Sequence, residues 1–224
     1  MNAPPRFSQP LNRDEYLDTW SGLHGGVPPT GLVGGWLRIS FALARPLVAR
    51  RVPADLITGF GVLLALLVLP SAAGGGHWPL LAVPTIVLAA LMDGVDGAVA
   101  VVSGRVSRRG AVLDGVCDRL ADLCFVAALW LAGASAGWCV AGGAIALLHE
   151  QLRAGARVAG MSDVGVITVS ERPTRVILTS TFLLGAGLYS GSAATWASAG
   201  ASAWTVIGIV GFAQLAVTTA RRLR

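Results

Sequence analysis

Between residues 93 and 122 an otherwise apolar stretch carries five aspartates: Asp93, Asp96, Asp114, Asp118 and Asp122. Carboxylate oxygens are hard ligands for divalent cations, and a well-placed carboxylate also takes a proton from a reacting hydroxyl. Asp93 and Asp96 stand three residues apart, and Asp114 and Asp118 four apart, so on helices each pair shares a face about one turn apart. Each charged carboxylate in hydrocarbon costs about 2.5–3.5 kcal/mol even on a lenient insertion scale. Four brought together repel unless something positive sits between them. Two divalent cations bridged by carboxylates meet that need and suit phosphoryl chemistry. Spacing alone leaves a second reading open, in which the carboxylates pair with Arg105, Arg108, Arg109 and Arg119 or are simply wet at an interface.

The elements that position these groups follow from composition. The 224 residues are 54% hydrophobic and 13% charged, with a mean hydropathy of +0.67, which describes an integral membrane protein rather than a soluble core. All 17 basic residues are arginine, and against 12 carboxylates they leave a net charge of +5. They flank apolar segments, so the anionic membrane face is the expected partner and nucleic acid is not. Cys117, Cys124 and Cys139 fit neither zinc-site nor redox spacing and read as small buried hydrophobes.

Residues 1–30 hold charges and prolines but no apolar signal region, and are expected to stay cytoplasmic. Residues 31–51 alternate Leu32, Trp36, Leu37, Ile39, Leu43 and Leu47 with arginines, predicting an amphipathic helix in the interface. Residues 52–220 then divide into six predicted spans: 54–69, 78–102, 110–132, 138–158, and two within 176–220 separated by the SGSAATWASAG stretch at 190–200. Residues 221–224 form a basic tail. The arginines gather before the first span, at the second–third and fourth–fifth junctions, and after the last, while the remaining connections have none. This positive-inside bias places both termini and the carboxylates on the cytoplasmic side of the cell membrane. The expected fold is thus all-α, six transmembrane helices preceded by an interfacial helix. Trp130, Trp138, Trp196 and Trp204 fall at predicted outer ends and suggest an aromatic belt. His77 reads as interfacial beside Trp78, and His149 as packed rather than metal-bound.

Asp93-Gly-Val-Asp96-Gly97-Ala-Val-Ala100, followed after nine residues by Gly110-Ala-Val-Leu-Asp114-Gly-Val-Cys-Asp118, resembles the signature of the CDP-alcohol phosphotransferase (phosphatidyltransferase) family, D-x2-D-G-x2-A-R, eight residues, G-x3-D-x3-D. Seven of its eight fixed positions are present in register; the eighth, an arginine, is Val101 here. The resemblance spans roughly residues 50–180. It implies attack of an alcohol hydroxyl on the β-phosphorus of a CDP-linked donor with loss of CMP. It further implies that Asp93, Asp96, Asp114 and Asp118 hold two Mg²⁺ or Mn²⁺ ions, that Asp118 is also the general base, and that Gly97, Ala100 and Gly110 line the cytidine pocket.

Two weaker matches extend the resemblance. Ala54-Asp55-Leu-Ile-Thr58 is similar to the family's P-N-x-V-T, which implies that Asp55 and Thr58 contact the cytidine diphosphate; Asp55 also reads as the N-cap of the first span. Residues 150–175 are similar to the YVRARAE…ER-x2-R stretch of bacterial phosphatidylinositol-phosphate synthases and their phosphatidylglycerophosphate-synthase relatives, with Arg153, Glu171, Arg172 and Arg175 on matching positions and Gly155 and Arg157 replacing an arginine and a glutamate. Arginines suit a phosphorylated acceptor because a guanidinium grips phosphate bidentately. Arg105, Arg153, Arg172 and Arg175 are therefore the candidate acceptor ligands. The expected activity is phosphatidyl transfer from CDP-diacylglycerol to a polyol or sugar phosphate such as inositol phosphate or glycerol phosphate, in phospholipid biosynthesis. The resemblance also implies a homodimer. The alternatives are a CDP-linked polar alcohol as donor, or a non-catalytic paralogue that binds CDP-lipid or ions.

Overall fold

The computed structural model describes residues 11–23, 26, 28–161 and 168–223, so part of the segment expected to be cytoplasmic and most of the loop after residue 160 lie outside the described residues. The elements are α1 (Arg13–Leu23), α2 (Gly31–Ala49), α3 (Ala54–Ala73), α4 (Pro79–Val102), α5 (Arg108–Leu131), α6 (Ala136–Val158), α7 (Arg172–Leu188), a single 3₁₀ turn (Ser190–Ser192) and α8 (Ala193–Arg222). No strand occurs among the described residues. Among the described residues, three helical stretches are long and apolar enough to cross a membrane: Ala54–Ala73, Pro79–Val102 and Ser190–Arg222.

The expected helices are found within a few residues, with three differences. First, α1 lies inside a stretch read only as a tail. Its start is a capping box: Asn12 Oδ1 accepts the N–H groups of Asp14 and Glu15, both at 3.0 Å, while Glu15 Oε2 accepts the N–H of Asn12 at 2.8 Å. Second, the break at 190–200 is confined to residues 189–192, because the alanine-rich half of that stretch favours helix and extends α8. Third, Asp55 is the second residue of α3 and does not occupy the N-cap; an acidic side chain there still complements the helix dipole.

The chain forms two compact units. One comprises residues 1–63 and 88–118, and its core joins Tyr16 of α1, Leu37, Phe41 and Ala44 of α2, Ile57 of α3, and Val95, Ala98, Val99, Val101 and Val102 of α4. Tyr16 stacks on Phe41 at 5.5 Å between ring centroids, and burial pushes its phenol up to about 12. At Gly94 a Cβ would lie 2.7 Å from Ser40 Oγ and 2.8 Å from Trp36 Nε1, so α2 lies directly on the segment of α4 that carries Asp93 and Asp96. The connection to α5 is equally tight. Gly104, at φ +64°, closes α4 in the left-handed conformation, with N–H bonds from Gly104 to Val101 and from Arg105 to Ala100. Ser107 Oγ then accepts the Gly110 N–H at 2.9 Å, capping α5.

The second unit comprises residues 64–87 and 119–224. Small residues set its helix contacts: a Cβ on Gly142 would sit 2.9 Å from Trp204 Cδ1, and one on Gly208 would sit 2.6 Å from Ile145 Cγ2, which brings α6 and α8 close. Thr205 Oγ1 donates to the Trp138 carbonyl at 2.9 Å, and a His77 ring nitrogen lies 2.8 Å from the Gly187 carbonyl oxygen. Trp204 is buried and Trp196 stacks on Tyr189. The expected aromatic belt is therefore corrected for these two, which serve packing because glycines face them, while Trp130 and Trp138 remain exposed. Cys124 and Cys139 are buried, as expected, and none of the three cysteines is joined in a disulfide to another described residue.

Replacing Gly94 by isoleucine should cost about 1–3 kcal/mol through overpacking against Trp36 and Ser40. Gly97→Ala, which meets open space, should be neutral or stabilising by up to about 1 kcal/mol. Thermal unfolding of the purified protein in detergent should separate the two variants in that order.

Candidate active site

One oxygen from each of Asp93, Asp114 and Asp118 can be chosen so that all three lie within 4.8 Å of one another. Asp93 comes from α4 and the other two from α5, and the Gly104–Ser107 connection folds these helix ends together. All three side chains are half-buried. The donor set is entirely carboxylate oxygen, with no histidine or cysteine, and that chemistry fits Mg²⁺ or Mn²⁺. Divalent cations would also offset the mutual repulsion of three negative charges this close together.

Asp96 stands beside the trio and is nearly fully buried. Thr58 of α3 donates to its Oδ2 at 2.5 Å and is itself anchored to the Ala54 carbonyl at 3.1 Å. Thr58 therefore orients Asp96 from a third helix, a contact sequence spacing alone does not reveal. Gly97 and Gly115, one on each helix, have open space where a side chain would stand. Gly110 is part of the helix cap, and Asp55 is exposed at the start of α3. Val101, which replaces the signature arginine, is buried in the core formed with α1 and α2.

The candidate acceptor arginines divide between the units. Arg105 is exposed, directly after Gly104. Arg153, Arg172 and Arg175 belong to the second unit and meet a set of carboxylates there. Arg175, 4% exposed, donates from Nη1 to Asp122 Oδ2 at 2.6 Å and from Nη2 to Glu150 Oε1 at 3.0 Å. Arg153 Nη2 donates to Glu171 Oε1 at 2.6 Å, and Arg119 Nη2 to Glu150 Oε2 at 2.6 Å. Arg172 is the first residue of α7, directly after its N-cap Glu171. Thr168 donates its backbone N–H (2.9 Å) and its hydroxyl (3.0 Å) to Glu171, and the hydroxyl also lies 3.2 Å from Nε2 of the fully buried His149. The sequence presents Asp122 as a fifth aspartate outside the signature and does not single out Glu150. The three-residue spacing of Glu150 and Arg153 was the visible signal.

An all-helical fold with apolar spanning helices and three clustered aspartates from a D-x2-D-G … G-x3-D-x3-D signature defines a membrane phosphotransferase of the CDP-alcohol class. Residues 51–210 match the model of the CDP-alcohol phosphatidyltransferase family, and the chain belongs to that family. Among its relatives, the phosphatidylinositol phosphate synthase of Corynebacterium glutamicum is 32% identical over 202 residues, covering 83% of this chain and 85% of that one. The phosphatidylinositol phosphate synthase of Mycobacterium tuberculosis, solved with CDP-DAG bound, matches with a TM-score of 0.63 and 27% identity over 81% of this chain and 94% of that one. The structure of that synthase with manganese and citrate matches in fold, with a TM-score of 0.67 at 24% identity over 81% of this chain and 88% of that one.

Manganese should bind the purified protein and raise its unfolding temperature. Asp114→Asn should abolish the shift, and Thr58→Val, which releases Asp96, should weaken manganese affinity by about 10- to 100-fold. Thermal unfolding reads the shift, and electron paramagnetic resonance of free Mn²⁺ reads the binding. Undiminished binding in Asp114→Asn would exclude the carboxylate trio as the metal site.

Proposed function

We propose that this protein transfers the phosphatidyl group of CDP-diacylglycerol to a hydroxyl of a small phosphorylated polyol, with inositol phosphate the first candidate acceptor, and releases CMP. The observation that carries the reading is the convergence of Asp93, Asp114 and Asp118 from the two halves of the signature. The similarity to phosphatidylinositol phosphate synthases, one of them solved with CDP-DAG bound, supports donor and acceptor.

In this reading the acceptor oxygen forms a bond to the β-phosphorus, the bond from that phosphorus to the CMP oxygen breaks, and the hydroxyl proton passes to the carboxylate of Asp118. Asp93, Asp96, Asp114 and Asp118 hold two divalent cations, Mg²⁺ or Mn²⁺, whose charge, when bound, neutralises the pyrophosphate and the leaving CMP. Thr58 keeps Asp96 oriented, while Asp55, Gly97, Ala100 and Gly110 border the cytidine diphosphate. The burial of Val101 among α1 and α2 side chains gives that position a packing role, so the missing arginine does not argue against catalysis. Arg105, Arg153, Arg172 and Arg175 serve the acceptor's phosphate. Helices α3 to α8 make the six spans and α2 lies in the interface, with both termini and the aspartates at the cytoplasmic face of the plasma membrane. A homodimer is part of the same proposal.

The test is CMP release by the purified protein with CDP-diacylglycerol, Mg²⁺ and a panel of polyols and polyol phosphates. Inositol phosphate should support release, and Asp118→Asn should slow it by about 10²–10⁴-fold, the usual worth of a general base. Release only with CDP-linked polar alcohols would transfer the assignment to another donor. An equal rate in Asp118→Asn would remove that residue as the base.

A further inference from the structure

Charge is distributed unevenly in the second cluster. Four guanidiniums, Arg119, Arg153, Arg172 and Arg175, accompany three carboxylates, Asp122, Glu150 and Glu171, among the described residues. The carboxylates do not have equivalent roles. Asp122 fixes Nη1 of Arg175, and Glu171 fixes Nη2 of Arg153, each at 2.6 Å. Glu150 instead lies where three arginines meet: Oε2 accepts from Arg119 at 2.6 Å and lies 3.9 Å from Arg153 Nε, while Oε1 accepts from Arg175 at 3.0 Å. Several guanidiniums closing on one small anion is the arrangement by which proteins hold a phosphate. Two of these arginines keep a carboxylate anchor without Glu150, so the cradle does not depend on Glu150 for its shape.

A further observation points to a ligand for the cradle. Arg175 Nε and Arg153 Nε are buried with no hydrogen-bond partner among the described residues, and Arg175 is only 4% exposed. Buried polar atoms are normally satisfied.

We propose that Glu150 is a built-in competitor for the acceptor's phosphomonoester. Its carboxylate occupies the arginine cradle when no acceptor is bound, and an incoming phosphate must displace it from Arg119 and Arg175. Glu150 is thereby a specificity-determining residue that weakens binding of phosphorylated acceptors without touching the donor. This rests on the reading of the acceptor given above.

Glu150→Gln keeps the size of the side chain and removes the charge. With CDP-diacylglycerol as donor, KM for inositol phosphate should fall by about fivefold or more, kcat should change by less, and KM for CDP-diacylglycerol should not move. An unchanged or raised KM for inositol phosphate would overturn the proposal and leave Glu150 as a pin for Arg119 and Arg175. A second measurement needs no turnover. Inorganic phosphate, titrated while following the unfolding temperature, should stabilise Glu150→Gln at concentrations about fivefold or more below those needed by the wild type. If the variant is unstable, phosphate should restore its unfolding temperature towards the wild-type value, and failure to do so counts against the proposal. If neither protein releases CMP with any acceptor, the proposed function fails while the phosphate titration still decides the role of Glu150.

Discussion

Carboxylates repel one another, and in a chain this apolar they do so with little solvent to screen them. Asp93, Asp114 and Asp118 nonetheless bring one oxygen each within 4.8 Å of the others, so the surrounding structure must hold them against that repulsion. The features around the trio all serve that end. The capped Gly104–Ser107 connection fixes where α4 stops and α5 starts, Gly94 lets α2 lie against α4, and Thr58 restrains Asp96 from α3. Positive charge among the carboxylates would relieve that repulsion.

The second unit solves the opposite problem. Arg175 and Asp122 are buried and charged, and their bond is shielded from water, where breaking one partner of a pair leaves an uncompensated charge. Glu150, His149, Thr168 and Glu171 extend the pair into a network across α6, the segment before α7, and α7 itself. The arginine surplus visible in the composition is thus partly internal. Arg119, Arg153 and Arg175 meet carboxylates of their own chain rather than lipid headgroups.

Much of this was legible in the sequence because the signals were local. Helical runs of apolar residues and the register of Asp93 with Asp96 and of Asp114 with Asp118 all act within one or two turns. The capping box Asn12–Glu15 was equally local, but it sits in a polar stretch with no apolar periodicity, so α1 was passed over. The contacts that escaped join residues distant in sequence. Thr58 and Asp96 are 38 positions apart, and Asp122 and Arg175 are 53 apart; no periodicity encodes which partner a buried polar group finds. Trp204 looked like a belt residue because its span ends nearby, and only the facing Gly142 makes it a packing residue.

The connection between α4 and α5 has a consequence for how this chain can change over time. Four residues, Gly104 to Ser107, carry a left-handed turn at one end and a helix cap at the other. Loops usually absorb insertions and deletions readily, but here one added residue would rotate α5 by about 100° relative to α4 and carry Asp114 and Asp118 off the shared face. The short loop therefore behaves as a ruler. Divergence in length should collect elsewhere, in turns such as Gly74–Gly76, leaving this one as the fixed reference from which the spacing of the aspartates is measured.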